Sequence, residues 1–316
     1  MRKVSIIIPC PEINILTEKC IEECLKLDYE DFEIIVLPDE KDKKISKKYS
    51  DKRLKIIKTG KENTKPSFKR NLGMKKAKGE FFAFIDSDAY PKKDWLRNAI
   101  KYFDDDKIGI VGGPNLTPPD VNFWEKVAGY SLANPAVSWQ TTIRYKPKKN
   151  RFVTELPSCN YISYKDASSE YDPNFLTAED TKFCFDARDK GYKILYAGDV
   201  QVFHHRRDSL KKHLKQMFNY GRDNIWLMKR GFSKERFNFF ITIFGVIGFF
   251  VGLVLSFFIP LIRNLFLIIV GIYLISMLIA SVKENLKTTF WVFIVSAITP
   301  FLHGFGSLYG LFKKQG

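Results

Sequence analysis

Phe81-Phe82-Ala83-Phe84-Ile85-Asp86-Ser87-Asp88 is the stretch that decides how this 316-residue chain folds. Five apolar residues in a row read as a strand buried on both faces, and two carboxylates at i and i+2 follow at once. Ionised carboxylates beside a buried strand are costly unless a positive group sits on them. A divalent cation bridging diphosphate oxygens meets that need, because Mg²⁺ takes one or two carboxylates together with substrate phosphates. A solvated turn with two acids is the alternative that so short a pattern leaves open.

Working outward, Val4-Ser5-Ile6-Ile7-Ile8-Pro9, Phe32 to Leu37, Leu54 to Ile57 and Ile108 to Val111 are further strands of the buried type. Helical patterns lie between them, around Leu16 to Leu25, Ser67 to Ala77 and Trp95 to Phe103. Alternation of this kind predicts a parallel α/β sheet, whose ligands bind beyond the carboxyl ends of its strands. Those ends are acidic here, at Asp39 and at Asp86 and Asp88. No glycine-rich phosphate loop occurs at any of them; Gly112-Gly113 is broken by Pro114, so a dinucleotide fingerprint fails. A second acidic pair, Glu179-Asp180, opens a helix running towards Gly191, a place that carboxylates also favour for structural reasons alone. Of the adjacent His204 and His205, strand alternation lets one face a site. The segment from Pro114 to Pro157 carries no motif, and its aromatics (Phe123, Trp124, Tyr130, Trp139, Tyr145) read first as packing.

Composition divides the chain. With 45% hydrophobic and 27% charged residues, the composition excludes a disordered tail protein and a collagen-like repeat; Lys and Arg number 51 against 35 Asp and Glu, a net charge of +16. Five cysteines without a C-x-x-C pair favour neither a disulfide framework nor a zinc site, and point to a reducing compartment. After residue 236 there are five basic residues and one acid, Glu284. Phe237 to Ile259 and Leu265 to Val282 are uncharged runs of bilayer-spanning length, joined by Pro260 to Asn264 as the tip of a hairpin. A third run, Phe290 to Phe312, contains Pro300, His303 and three glycines, and reads as a span, a kinked span or a partly interfacial helix. Residues 206–236 are strongly basic, with Leu210, Leu214 and Phe218 at helical spacing opposite Lys211, Lys212 and Lys215. They are expected to form amphipathic helices on the membrane face. Their charge beside the first span, against Arg263 alone at the hairpin tip, places the soluble part in the cytoplasm. The same location explains the basic excess by anionic head groups rather than by nucleic acid. The expected organisation is a soluble domain over 1–205, interfacial helices over 206–236 and a transmembrane region over 237–316, in a multi-pass protein of the cell membrane.

The ordered series Ile6-Ile7-Ile8-Pro9, Asp39, Arg70-Asn71-x-Gly73-x-x-x-Ala77-x-Gly79-Glu80, Asp86-Ser87-Asp88, Glu179-Asp180, Gly191-Tyr192-Lys193 and His204 through Gln216 to Tyr220-Gly221-Arg222 resembles glycosyltransferase family 2. The resemblance implies an α/β GT-A nucleotide-diphospho-sugar transferase domain, followed here by C-terminal transmembrane helices. Members with such tails are similar to enzymes that build extracellular polysaccharides or lipid-linked glycans. By the same resemblance Pro9, Glu12, Asp39, Arg70, Asp86 and Asp88 bind the nucleotide-sugar, Asp39 at the base or ribose. Asp88 binds Mg²⁺ or Mn²⁺. Asp180 is the implied catalytic base of an inverting transfer to an acceptor hydroxyl, with Glu179 in support. Arg222 reads equally as a diphosphate contact and as part of a basic interfacial helix. The implied partners are a nucleotide-diphosphate sugar, a lipid-linked or glycan acceptor and membrane lipids. The alternative is a polyprenyl-phosphate sugar synthase, whose acceptor is a phosphate. Two departures stand out: Cys10-Pro11-Glu12 replaces the usual stretch ending in Asn-Glu, and the Gln-x-x-Arg-Trp of processive synthases is absent.

Overall fold

The computed structural model describes residues 2–40, 48–174, 178–229 and 239–313. In chain order the first elements are β1 (Val4–Pro9), α1 (Ile15–Leu25), β2 (Phe32–Leu37), β3 (Leu54–Ile56), α2 (Pro66–Lys76), β4 (Phe81–Phe84) and β5 (Ala89–Pro91). Next come α3 (Trp95–Ile100), β6 (Ile108–Gly112), β7 (Asn115–Leu116), α4 (Phe123–Leu132), α5 (Pro135–Ser138), β8 (Arg151–Val153) and β9 (Tyr161–Tyr164). The last are α6 (Glu179–Asp189), β10 (Lys193–Tyr196), β11 (Val202–His204), α7 (Leu210–Lys229), α8 (Phe239–Ser256), α9 (Pro260–Ser281) and α10 (Leu286–Phe312). They form two compact units, Met1–Pro118 with Ile143–His205, and Pro119–Thr142 with Arg206–Gly316.

The first unit is built on an eight-stranded sheet in the order β3-β2-β1-β4-β9-β6-β10-β8. Its central strands are apolar on both sides, and period-two alternation sends their side chains to two cores. Ile6, Ile8, Ile34, Val36 and Ala83 pack on one face; Ile7, Ile35, Phe82 and Phe84 pack on the other. The expectation of a parallel sheet needs correction, because the sheet is mixed. β1, β2, β3 and β4 run parallel, but β9 inserts antiparallel between β4 and β6. By sequence, Pro157-Ser158-Cys159-Asn160-Tyr161 reads as a small-residue turn, yet Tyr161 opens β9, whose Tyr-Ile-Ser-Tyr is too short to carry a period. What makes it a strand is burial between two neighbours that claim its backbone hydrogen bonds. A smaller sheet, β5-β11-β7, stands beside the carboxyl end of β4 within this unit.

The Arg-Asn-x-Gly motif acquires its physical meaning on α2. A Cβ on Gly73 would stand 2.5 Å from Cγ2 of Ile7, so glycine lets this helix lie close on β1. Asn71 clamps the chain near Tyr171 with two bonds, donating to the Tyr171 carbonyl at 2.8 Å and accepting from its N–H at 2.7 Å.

In the second unit, α9 and α10 are long and apolar enough to cross a membrane, and the apolar α8 is shorter. Pro260 does not lie in a loop at the hairpin tip; it opens α9 as its first residue, where its missing N–H costs no helical bond. The turn is therefore Phe257 to Ile259. Helix α7 runs unbroken from Leu210 to Lys229, and residues 230–236 of the expected interfacial segment lie outside the described residues. Its buried seam is His213, Met217 and Gly221 rather than Leu214 and Phe218, which are half-buried. Backbone meets backbone there: a Cβ on Gly306 of α10 would stand 1.9 Å from the carbonyl oxygen of Phe218. Gly306→Ala is accordingly expected to destabilise this unit by about 1–3 kcal/mol through overpacking, despite alanine's better helix propensity. Thermal unfolding of the full chain in detergent measures it, and an unchanged or raised Tm would refute the close contact.

Candidate active site

The carboxyl ends of β2 and β4 bring three acids, Asp39, Asp86 and Asp88, to one edge of the first unit's sheet, and α2 supplies two buried cations to this edge. Lys69 has 2% of its side chain exposed and reaches Asp39 at 2.5 Å, while also donating to the Cys10 carbonyl. Arg70 is as deeply buried and forks between two acids far apart in sequence. It donates to Asp86 at 2.8 Å and to Glu179 at 3.0 Å, and its guanidinium lies over the Tyr171 ring at 5.3 Å. Burial works against the guanidinium charge, but Asp86, Tyr171 and Glu179 hold it in place. Removing one partner of such an arrangement leaves charges buried and unpaired. Arg70→Met is expected to cost about 3 kcal/mol, the low end for a broken buried pair, since Asp86 stays 31% exposed. Equilibrium unfolding checks this; an unaltered stability would show that the two acids need no cation.

Asp86, Asp88 and His204 form the next group, each offering an atom within 4.8 Å of the others. His204 Nε2 lies 3.1 Å from Asp88 Oδ1, and the His205 N–H donates to the Asp88 carbonyl at 3.0 Å. Alternation along β11 thus turns one histidine to the acids, while the other ring lies near Tyr90. Burial alone would lower the His204 pKa, yet Asp88 and then Cys159 outweigh it and raise it to about 10. The Asp88 carboxylate thus favours positive charge at this point. The two carboxylates suit Mg²⁺ or Mn²⁺ with open positions for phosphate oxygens, and His204 stands where, on losing its proton, it would offer a nitrogen as a third donor. The residues fit the ion that the D-x-D pattern implies.

Glu179 and Asp180 open α6 and diverge. Glu179 is buried and engaged by Arg70; Asp180 is half-buried, accepts from the Ser158 N–H at 3.4 Å and lies in the fields of Arg144 and Glu155. Arg144 and Glu155 are themselves joined at 2.6 Å. Burial raises the pKa of both acids. For Asp180, Glu155 adds to this, and Arg144 and Arg70 oppose it. A carboxylate moved towards neutrality is a stronger base than an exposed one.

Of the residues expected in a site, Arg70, Asp86, Asp88 and Glu179 lie on one network of charges in the first unit, with Asp180 adjacent to Glu179, while Asp39 pairs with Lys69, the residue before Arg70. Pro9 ends β1 opposite Leu37, and Glu12 is exposed on the loop that follows. Arg222 belongs to α7 of the second unit, paired with Asp223 at 2.6 Å and lying over Trp226 at 4.6 Å. Sequence reasoning left Lys69, Arg144 and Glu155 without a role, and named His204 only as one of two adjacent histidines of which one could face a site. Lys69 stands directly before the motif that begins at Arg70, whereas Arg144 and Glu155 lie in a segment with no pattern to mark them.

An acid-lined edge of a mixed α/β sheet, with a buried arginine joining the metal-type cluster to a second acidic pair, agrees with the GT-A class of sugar-transferring domains that the resemblance implies. The description "Glycosyl transferase family 2" matches residues 5–167, just over half of the chain, and the protein belongs to that family. Along 99% of its length it is 25% identical to a relative from Methanococcus voltae, of which it covers 97%. That relative is named dolichyl N-acetyl-alpha-D-glucosaminyl phosphate 3-beta-D-2,3-diacetamido-2,3-dideoxy-beta-D-glucuronosyltransferase. It is 24% identical over 268 residues to the poly(ribitol-phosphate) beta-N-acetylglucosaminyltransferase TarS of Staphylococcus aureus, spanning 46% of that protein. Among solved structures, the mannosyltransferase PcManGT from Pyrobaculum calidifontis, in complex with GDP-Man and Mn²⁺, superposes with a TM-score of 0.61. That match covers 98% of this chain and 87% of the other at 12% identity, which bears on the fold.

Proposed function

We propose that this glycosyltransferase moves a sugar from a nucleotide-diphosphate donor to a hydroxyl of a lipid-linked or glycan acceptor, inverting the anomeric centre. The observation that carries the reading is the Arg70 fork, which ties the Asp86-Asp88-His204 cluster to the Glu179-Asp180 pair. Donor and acceptor chemistry need these two groups side by side. Asp39, at the end of β2, holds the nucleoside, with Lys69 fixing its carboxylate. Asp86, Asp88 and His204 hold Mg²⁺ or Mn²⁺, which when bound neutralises the charge developing on the departing diphosphate. Asp180 accepts the acceptor's hydroxyl proton as its oxygen bonds to the anomeric carbon and the bond from that carbon to the phosphate oxygen breaks. Glu179, engaged by Arg70, keeps the base in place. The name of the Methanococcus voltae relative, with its lipid-phosphate-linked sugar acceptor, supports a lipid-linked acceptor here. The basic run before α8, against Arg263 near the tip of the α8–α9 hairpin, supports a cytoplasmic catalytic face and membrane lipid as a partner.

Membranes carrying the full chain, offered a panel of nucleotide-sugars with and without polyprenyl-linked sugars, test the proposal. One nucleotide-sugar should be consumed with release of its nucleoside diphosphate and extension of the acceptor. Consumption of none across the panel would remove the donor class.

A further inference from the structure

Helix α10 is apolar and long enough to be a third span, but its packing within the second unit is at odds with crossing a bilayer. Helix α7 lies along it lengthwise. Near the start Leu210 packs in the cluster that holds Trp291. In the middle Gly221 abuts His303 and Ser307, and Gly306 abuts Phe218. At the end the Trp226 Nε1–H donates to the Lys313 carbonyl at 2.9 Å and Lys229 Nζ to the Gly310 carbonyl at 2.8 Å. Wherever α10 goes, α7 goes beside it. Yet α7 carries Lys211, Lys212, Lys215, Arg222, Asp223 and Lys229, far more charge than one membrane-spanning helix tolerates.

The two faces of α10 agree with this. Thr288, Ser296, Thr299 and Ser307 are buried on one side, with Ser296 bonded to Ser131 of α4 and Ser307 to the Gly221 carbonyl. Phe290, Ile298, Phe305, Tyr309 and Phe312 are exposed on the other. The covered face also buries Val292 and Val295; a covered face carrying four hydroxyls opposite an open apolar one describes a helix lying in the interface plane. Helix α9 differs: Ile268, Ile272, Ile275 and Ile279 are each more than half exposed, as a lipid-facing helix requires.

We infer that the α8–α9 hairpin alone enters the bilayer, and that α10 lies with α7 along the membrane face as an amphipathic pair whose apolar side rests on lipid. The chain then crosses twice, so the end of α10 returns to the side from which α8 entered. This goes beyond the proposed reaction and does not depend on it.

Single-cysteine reporters in the full chain decide it. The five native cysteines are buried, so an impermeant maleimide added to sealed vesicles reads introduced ones at exposed Lys52, Phe258 and Lys313. Lys52→Cys and Lys313→Cys should label from one side and Phe258→Cys, at the hairpin turn, from the other. If Lys313→Cys labels with Phe258→Cys, α10 spans and the inference falls. If Phe258→Cys labels with Lys52→Cys, or from neither side, the hairpin does not cross and the inference falls equally.

Discussion

Asp180→Asn is expected to lower transfer to a hydroxyl acceptor by about 10²–10⁴, the usual worth of a general base, with donor affinity unchanged. Asparagine keeps the size of the side chain and can still accept from the Ser158 N–H, but it cannot take up a proton. The donor contacts proposed above lie at Asp39 and at Asp86 and Asp88, held by Lys69 and Arg70 rather than by Asp180. The pH profile supplies a second readout. Burial and Glu155 raise the Asp180 pKa above that of an exposed aspartate, and a base works only when ionised. Wild-type turnover should therefore fall on the acid side at a higher pH than an exposed carboxylate would give, and Asp180→Asn should lose that limb. Donor affinity and turnover measured on the same variant separate the outcomes. Near-normal turnover would remove the base and favour a phosphate acceptor, which needs none. Lost donor binding would place Asp180 in the donor site or the fold.

Asp88→Ala is expected to reduce transfer by at least about a thousandfold, because a metal at a departing diphosphate contributes several kcal/mol. The Asp88 side chain is 37% exposed, and the backbone bond from His205 to its carbonyl survives the substitution, so the fold should persist. Circular dichroism and unfolding midpoint check that point. Wild-type enzyme in excess chelator should lose activity and regain it with Mg²⁺ or Mn²⁺. Full activity of Asp88→Ala, or of wild type without free divalent ions, would end the metal assignment.

Legibility differed from residue to residue for physical reasons. Asp39, Asp86 and Asp88 were readable because each follows a buried apolar strand, and a charge at such a boundary demands an explanation. His204 was half-readable, since alternation says that one of two neighbours faces a site without saying which. Lys69 reads as an ordinary helical lysine until the close packing of α2 on β1 buries it. Arg144 and Glu155 matter through a pairing that composition does not announce. β9 carried too few residues for any periodicity, and the mixed character of the sheet went with it.

Local pattern by itself determined that this chain alternates strands and helices, sets acids at strand ends, and closes with an apolar tail. Those features depend on burial along a short stretch, which the order of side chains reveals directly. Tertiary structure alone decided that Arg70 meets Glu179, more than a hundred residues away, and that β9 runs backwards between β4 and β6. It also decided that α10, apolar enough to span, is bound along a charged helix. Each of these rests on which surfaces meet, and the energy of a meeting belongs to both partners, so neither stretch of sequence contains it.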